Sequence, residues 1–418
     1  MNAQSVMELP RSCIWLNAAP STLQDHAGRP LVLAFVNGAS VWCMQRLAEV
    51  AQWQARNPGR LQLLVVQVPR FDFEREPQPA LKLLRRHGIT SPILLDAQWE
   101  AWRSFGIEAW PTLLLLDAQG QERERLVGAV GDLERALNTL CEGLMPPLDE
   151  DLRGNRETSP EPRLPLRFPA GLVANAERLY VADTGNHALR RIHLPSGQVE
   201  TLCGNGRAGE PVAGVLAQPW DSPLNHPQDI AIADNQLHIA MAGENRIWSY
   251  DLGLRSLRWR VGAGVMEVRD GGGHLAALAQ PSGVVAVQQV LYVCDALGSA
   301  IRSVQLRGDV VQTLVGQGPW EFGSADGPRA QAHLQYPQAI AMGSESPLLW
   351  IADAGNGCLR TLRLGGGDLS TVNLPRRLHG PAALAVAAGA VWIAESDAHA
   401  ILRFDPVSGE LSNVPIEE

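Results

Sequence analysis

The stretch Leu31-Val-Leu-Ala-Phe-Val-Asn-Gly-Ala-Ser-Val-Trp-Cys-Met-Gln-Arg-Leu47 decides how the first third of the chain folds. Leu31 to Val36 is a short apolar run, the pattern of a strand buried on both faces of a parallel sheet. A turn follows at Asn37 to Ser40, and then a helical pattern with Val41, Leu47 and Val50 on one face. A cysteine in the first turn of such a helix meets the positive end of the dipole and backbone N–H groups, which stabilise a thiolate. Cys43 is therefore the candidate reactive thiol. A redox dithiol needs a second cysteine three residues away, and Ser40-Val41-Trp42-Cys43 has a hydroxyl there instead.

This strand, turn and helix resemble those of thioredoxin-like domains, whose Cys-x-x-Cys ends eight residues past a strand phenylalanine, as Cys43 lies past Phe35. Gly106-Ile-Glu-Ala-Trp-Pro-Thr-Leu-Leu-Leu-Leu116 is similar to the thioredoxin segment whose proline is cis and faces the active-site helix. The resemblance implies a cis bond at Trp110-Pro111 and a site made of Ser40, Trp42, Cys43, Trp110 and Pro111. In dithiol thioredoxins the exposed first cysteine attacks and the more buried second one resolves, so Cys43 matches the second. Without a thiol at Ser40 the two-electron cycle cannot close within the domain.

The neighbouring sequence alternates strand and helix patterns to about residue 145, the signature of an α/β sheet. Leu61 to Val68 predicts a central strand, Pro79 to His87 a helix, and Ile93 to Leu95 a short strand before Asp96. Thr112 to Asp117 and Gln121 to Gly128 predict a hairpin turning at Asp117-Ala-Gln-Gly120, and Asp132 to Leu144 a closing helix. Residues 146–167 are proline-rich and charged, the composition of an extended linker.

From residue 168 a repeat begins. Its units open Phe168-Pro169, His226-Pro227, Gln280-Pro281, Tyr336-Pro337 and Gly380-Pro381. Each continues into an apolar run: Leu179-Tyr-Val-Ala-Asp183, Leu237-His-Ile-Ala-Met241, Leu291-Tyr-Val-Cys-Asp295, Leu349-Trp-Ile-Ala-Asp353 and Val391-Trp-Ile-Ala-Glu395. A period of about 40 to 60 residues with three or four short strands per unit means propeller blades. Proline suits the start of the innermost strand, where no ladder N–H is needed. The acidic residue at the end of the run is placed to leave the strand and cap the next turn through its carboxylate. The stretches Gly204 to Leu224 and Gly316 to Leu334 read as loops between blades. The units resemble the NHL repeat, on residues such as Tyr180-Val-Ala-Asp-Thr-Gly-Asn-His187, and Trp15-Leu16-Asn17 and Trp110 resemble thioredoxin-domain proteins that carry an NHL propeller. Those relatives have six blades and a further β-domain. Five complete units are found here, so six is not excluded, and no counterpart of the further domain is recognised.

The net charge of −9 argues against a nucleic-acid platform or an anionic membrane surface. No run of 18 apolar residues is present, so no membrane-spanning helix is expected, and the N-terminus lacks the pattern of a secretory signal. Six scattered cysteines predict free thiols in a reducing, cytoplasmic setting. Asp183, Asp295, Asp353 and Glu395 recur with the blade and read as turn caps rather than metal ligands, because Met241 interrupts the series. His187 and His399 are equivalent but too few for zinc. Arg190, Arg302 and Arg360 read as interblade hydrogen-bonding groups. No phosphate loop, Gly-x-Ser-x-Gly or His-Glu-x-x-His is present, and neither cofactor nor metal is expected.

Two functions stay open. One is a non-catalytic module binding a protein or peptide through the propeller. The other is a monothiol oxidoreductase acting through Cys43 on a partner the propeller holds.

Overall fold

The computed structural model describes residues 8–128, 131–143, 165–344 and 347–416. The chain divides into two compact units, Met1–Arg163 and Leu164–Glu418. Most of the linker expected at 146–167, and the boundary near 145, lie outside the described residues.

The first unit is a six-stranded sheet in the order β1-β4-β3-β2-β5-β6. Its elements are β1 (Ile14–Trp15), β2 (Leu31–Val36), α1 (Val41–Arg56), β3 (Gln62–Gln67), α2 (Pro77–Arg85), β4 (Ile93–Leu95), α3 (Glu100–Ser104), β5 (Thr112–Leu116), β6 (Glu122–Val127) and α4 (Leu133–Leu140). β2, β3 and β4 run parallel, while β5 and β6 pair antiparallel on one side and β1 on the other. β2 and β5 are buried along their whole length. Alternate side chains serve two cores, as strand pleating requires. Val32, Ala34 and Val36 meet Met44, Leu47 and Val50 of α1 and Leu137 of α4. Leu31, Leu33 and Phe35 meet Ala101, Phe105 and Ile107 on the opposite face. The strand β1, not recognised in the sequence, is two residues long and pairs with β4 at the sheet edge.

The second unit is a β-propeller of five blades, each an antiparallel sheet. Every innermost strand begins at the repeat proline: Pro169–Ala174, Pro227–Ala233, Pro281–Val287, Pro337–Met342 and Pro381–Ala387. Blades 2 and 3 have five strands, where three or four were expected. Gly214–Val215, within a stretch read as a loop, adds to the outer edge of blade 2, and Gly271–Gly272 does the same for blade 3. Gly327, inside the second such stretch, bridges to Leu369 of blade 4.

The recurrent acidic residue holds the following turn in blades 1 and 4, where Asp183 and Asp353 accept from Asn186 Nδ2 at 2.8 Å and Asn356 Nδ2 at 2.7 Å, and it also reaches backward. Asp183, Asp295, Asp353 and Glu395 accept from the backbone N–H two residues before the proline of their own blade, at 2.6–2.8 Å. In blade 2 the Met241 thioether takes the same role, accepting from Asn225 N at 3.3 Å. Each repeat arginine pairs with the acidic residue of its own blade, at 2.8 Å for Arg190–Asp183 and 2.9 Å for both Arg302–Asp295 and Arg360–Asp353. Arg302 and Arg360 are fully buried and also reach Asp270 and Asp326, in the loops entering their blades. They fasten blade to entry loop rather than blade to blade. A buried guanidinium persists only with such partners, because removing one leaves an uncompensated charge.

Candidate functional site

The positions singled out in the first unit lie at the N-terminus of α1 and the start of β5. Ser40 is the N-cap of α1, half-buried, and its side chain makes no capping hydrogen bond to the helix. Cys43 is fully buried among Val32, Ala34, Val36, Met44 and Leu47. Its Sγ accepts from Asn37 N at 3.3 Å. Burial pushes the thiol up to about 12, against hydrogen bonds from the Asn37 N–H and the Ser40 hydroxyl that pull it down. The thiolate stabilisation expected at this helix start is outweighed by depth, and the thiol is neutral at neutral pH.

The Trp110-Pro111 bond is cis. Pro111 is buried and Trp110 half-buried, packed against the core that holds Cys43. Trp42 is half-buried beside Cys43 on α1. Thr112 Oγ1 donates to Ala109 O at 2.7 Å and ties the turn before β5.

Two features escaped the sequence. Trp110 belongs to an aromatic cluster, with ring centroids 5.2 Å from Trp99 and 4.7 Å from Trp102. The spacing of Trp99 and Trp102 was the available signal. Glu74 is buried behind the turn: both its carboxylate oxygens lie 2.8 Å from Asn37 Nδ2, and it accepts from Arg70 N and Phe71 N. Burial raises its pKa. In sequence it stands in Phe71-Asp-Phe-Glu-Arg-Glu76, where nothing separates it from two surface carboxylates. Asn37 thus contacts both Cys43 and Glu74, but no second thiol stands at the site to resolve a mixed disulfide.

In the propeller, His187 meets His226 edge-on at 4.5 Å, and its Nδ1 accepts from His226 N at 3.2 Å. His399, the equivalent in blade 5, is exposed. Among the described residues, no group of three or more His, Cys, Asp or Glu side chains is placed to hold a metal. Nor, among the described residues, is any helix long and apolar enough to cross a membrane.

No family model matches the chain. It is 25% identical over 457 aligned positions to Protein SUPPRESSOR OF QUENCHING 1, chloroplastic, of Arabidopsis thaliana, covering 86% of the chain and 41% of the plant protein. It is also 25% identical over 443 positions to NHL repeat-containing protein 2 of Bos taurus, covering 84% of the chain and 61% of the bovine protein. Thiol-disulfide oxidoreductase YkuV of Bacillus subtilis is 25% identical over 137 positions, covering 32% of the chain and 93% of that protein. The chain spans less than two thirds of the length of the plant and bovine relatives. Its five blades and this similarity support an NHL-like propeller.

Proposed function

We propose that the chain is a non-catalytic binding protein, a thioredoxin-like unit with a degenerate redox motif followed by an NHL propeller that binds a protein or peptide. The thioredoxin-like reading of the first unit is supported by its parallel β4-β3-β2 core with antiparallel β5 and β6, and by the stretch similar to the Bacillus oxidoreductase. The absence of turnover rests on one observation. Cys43 is fully buried with its thiol pushed up to about 12, and Ser40 holds the position of an attacking thiol. A neutral, covered thiol is a poor nucleophile. The propeller supplies a rigid ring with variable loops, and such loops carry recognition. An acidic chain favours a protein or peptide over RNA. A cytoplasmic location belongs to the same proposal, on the strength of six unpaired cysteines.

The test is an insulin-reduction assay on wild type, Ser40→Cys and Cys43→Ser. Wild type should be inactive, and Ser40→Cys should gain dithiol-dependent turnover of at least about tenfold over background. Catalytic reduction by wild type that Cys43→Ser abolishes would overturn this reading in favour of a monothiol oxidoreductase.

A further inference from the structure

Asparagine followed by glycine is the dipeptide that loses its side-chain amide most readily in water. The glycine nitrogen closes a five-membered ring on the asparagine Cγ, and no Cβ stands beside that nitrogen to hinder it. The chain holds three such pairs, Asn37-Gly38, Asn205-Gly206 and Asn356-Gly357. They are equal as dipeptides, and the fold treats them differently.

Two of them are held at both reacting ends. Asn37 is 2% exposed. Its Nδ2, the group that would leave, donates to both Glu74 oxygens at 2.8 Å. The Gly38 N–H, the group that would attack, donates to Gln67 Oε1 at 2.9 Å. Asn356 is half-buried, and its Nδ2 donates to Gly323 O and Asp353 Oδ2, each at 2.7 Å. Gly357 N donates to Ala354 O at 3.1 Å. Either pair must break these bonds before the ring can close, so it reacts only through local opening.

Asn205-Gly206 is placed the opposite way. The loop from blade 1 to blade 2 is pinned on either side of it, by Gly204 N donating to Pro219 O at 2.9 Å and Gly209 N donating to Leu224 O at 3.2 Å. Between these ties Asn205, Gly206 and Arg207 are exposed. Asn205 Oδ1 accepts from Arg207 N at 3.1 Å, a turn that folds the side-chain carbonyl back over Gly206. Among the described residues, no hydrogen bond holds the Gly206 N–H or the Asn205 amide nitrogen. Gly206 has φ +83°, and nothing lies within 4 Å of the position a Cβ would take, so its backbone is free to turn into the ring.

We propose that Asn205 is a site of spontaneous deamidation, and that of the three Asn-Gly pairs it is the one that reacts in the folded chain. Gly206 N attacks Asn205 Cγ. The N–Cγ bond forms, the Cγ–Nδ2 bond breaks, and the Gly206 proton leaves with the ammonia. Water then opens the succinimide. Opening at Cγ leaves aspartate; opening at the main-chain carbonyl leaves isoaspartate, with the chain routed through Cβ and one methylene longer. The balance is one water in and one ammonia out, with no oxidant. Either product sets a carboxylate beside Arg207 and adds one negative charge to the net −9. Isoaspartate also lengthens a loop whose two sides are fixed at Gly204 and Gly209. The chemistry belongs to the chain itself and holds whether or not the propeller binds a partner.

The experiment incubates the full chain in mildly alkaline buffer, folded and in urea, and follows the three asparagine-containing peptides by mass spectrometry. Isoaspartate is counted with an isoaspartyl methyltransferase and labelled S-adenosylmethionine. In the folded chain the Asn205 peptide should convert at least about tenfold faster than those of Asn37 and Asn356, and in urea the three rates should converge. Asn205→Gln, an exposed change, should remove most methyl acceptance from the folded chain and leave the denaturant midpoint where it was. Equal rates in the folded chain, earlier conversion of Asn37 or Asn356, or an inert Asn205 where the urea-unfolded chain converts, each overturns the proposal. Rates that stay apart in urea overturn it too, because the difference would then belong to the local sequence and not to the fold.

Discussion

At Cys43 two influences of opposite sign meet. The first turn of α1 offers a charge about 0.3–1 kcal/mol, while an ion held in an apolar core costs far more than that. Burial wins, and the thiol stays protonated. The local motif located the cysteine, but its depth depends on Val32, Met44 and Leu47 closing over it, which is a property of packing. Asp229 shows the same balance in the propeller. Its carboxylate accepts from Val284 N at 2.8 Å and Ile230 N at 2.9 Å, yet burial pushes it up to about 7. An unfolded aspartate ionises near about 3.9. Between those two values the unfolded chain has released a proton that the folded chain keeps, so raising the pH favours unfolding across this window and has no further effect above it. Denaturant midpoints measured from pH 4 to 8 should fall less steeply with pH in Asp229→Asn than in wild type. Equal slopes would mean that Asp229 is ionised throughout.

Among elements, the inner strands of the blades are the most sensitive to size. At Gly283 an added Cβ would lie 2.9 Å from both Ala339 Cα and Gln338 O, and 3.0 Å from Ile340 N. Those are backbone atoms of the next blade, which cannot rotate aside, so blades 3 and 4 must separate. Gly283→Ala should cost about 1–3 kcal/mol in chemical denaturation. At Gly272 nothing lies within 4 Å of the added atom, and Gly272→Ala should stay within about 0.5 kcal/mol of wild type. A neutral Gly283→Ala would show the blades to be loosely packed. The same strands explain what the sequence made legible. Each blade is announced by a proline and a six- or seven-residue strand, and all but blade 2 add an acidic residue that binds the blade's own entry turn. Ile14–Trp15, Gly214–Val215 and Gly271–Gly272 are two-residue strands with no room for a period, and only the partner strand makes them visible. Around the candidate site, the Phe35, Cys43 and Pro111 spacing could be read because it follows the chain. Glu74 could not, because its meeting with Asn37 spans 37 residues and depends on the folded turn.

On the scale of the whole propeller, the inner strands of the described blades pack one on the next. Among the described residues, the inner strands of blades 2, 3 and 4 each pack on a neighbouring inner strand at both faces, and those of blades 1 and 5 on one. In such an array stability is close to a sum of unit and nearest-neighbour terms, so a unit with one such interface is held less firmly than a unit with two. Local opening follows local contact, and the least covered elements open first. Blade 1 is the clearer case, with Leu172 63% exposed against 3–5% for Ile230, Val284 and Ile340. Blade 5 shows it through Ile401 and the exposed Ala383, Ala385 and Ala387 of its inner strand. Native-state hydrogen exchange read by mass spectrometry should therefore rank the inner strands. Amides of Pro227–Ala233, Pro281–Val287 and Pro337–Met342 should exchange slowest, and those of Pro169–Ala174 and Pro381–Ala387 faster by at least about an order of magnitude, the equivalent of about 1.4 kcal/mol of opening free energy. Uniform protection of all five inner strands would mean that those of blades 1 and 5 are covered as fully as the other three.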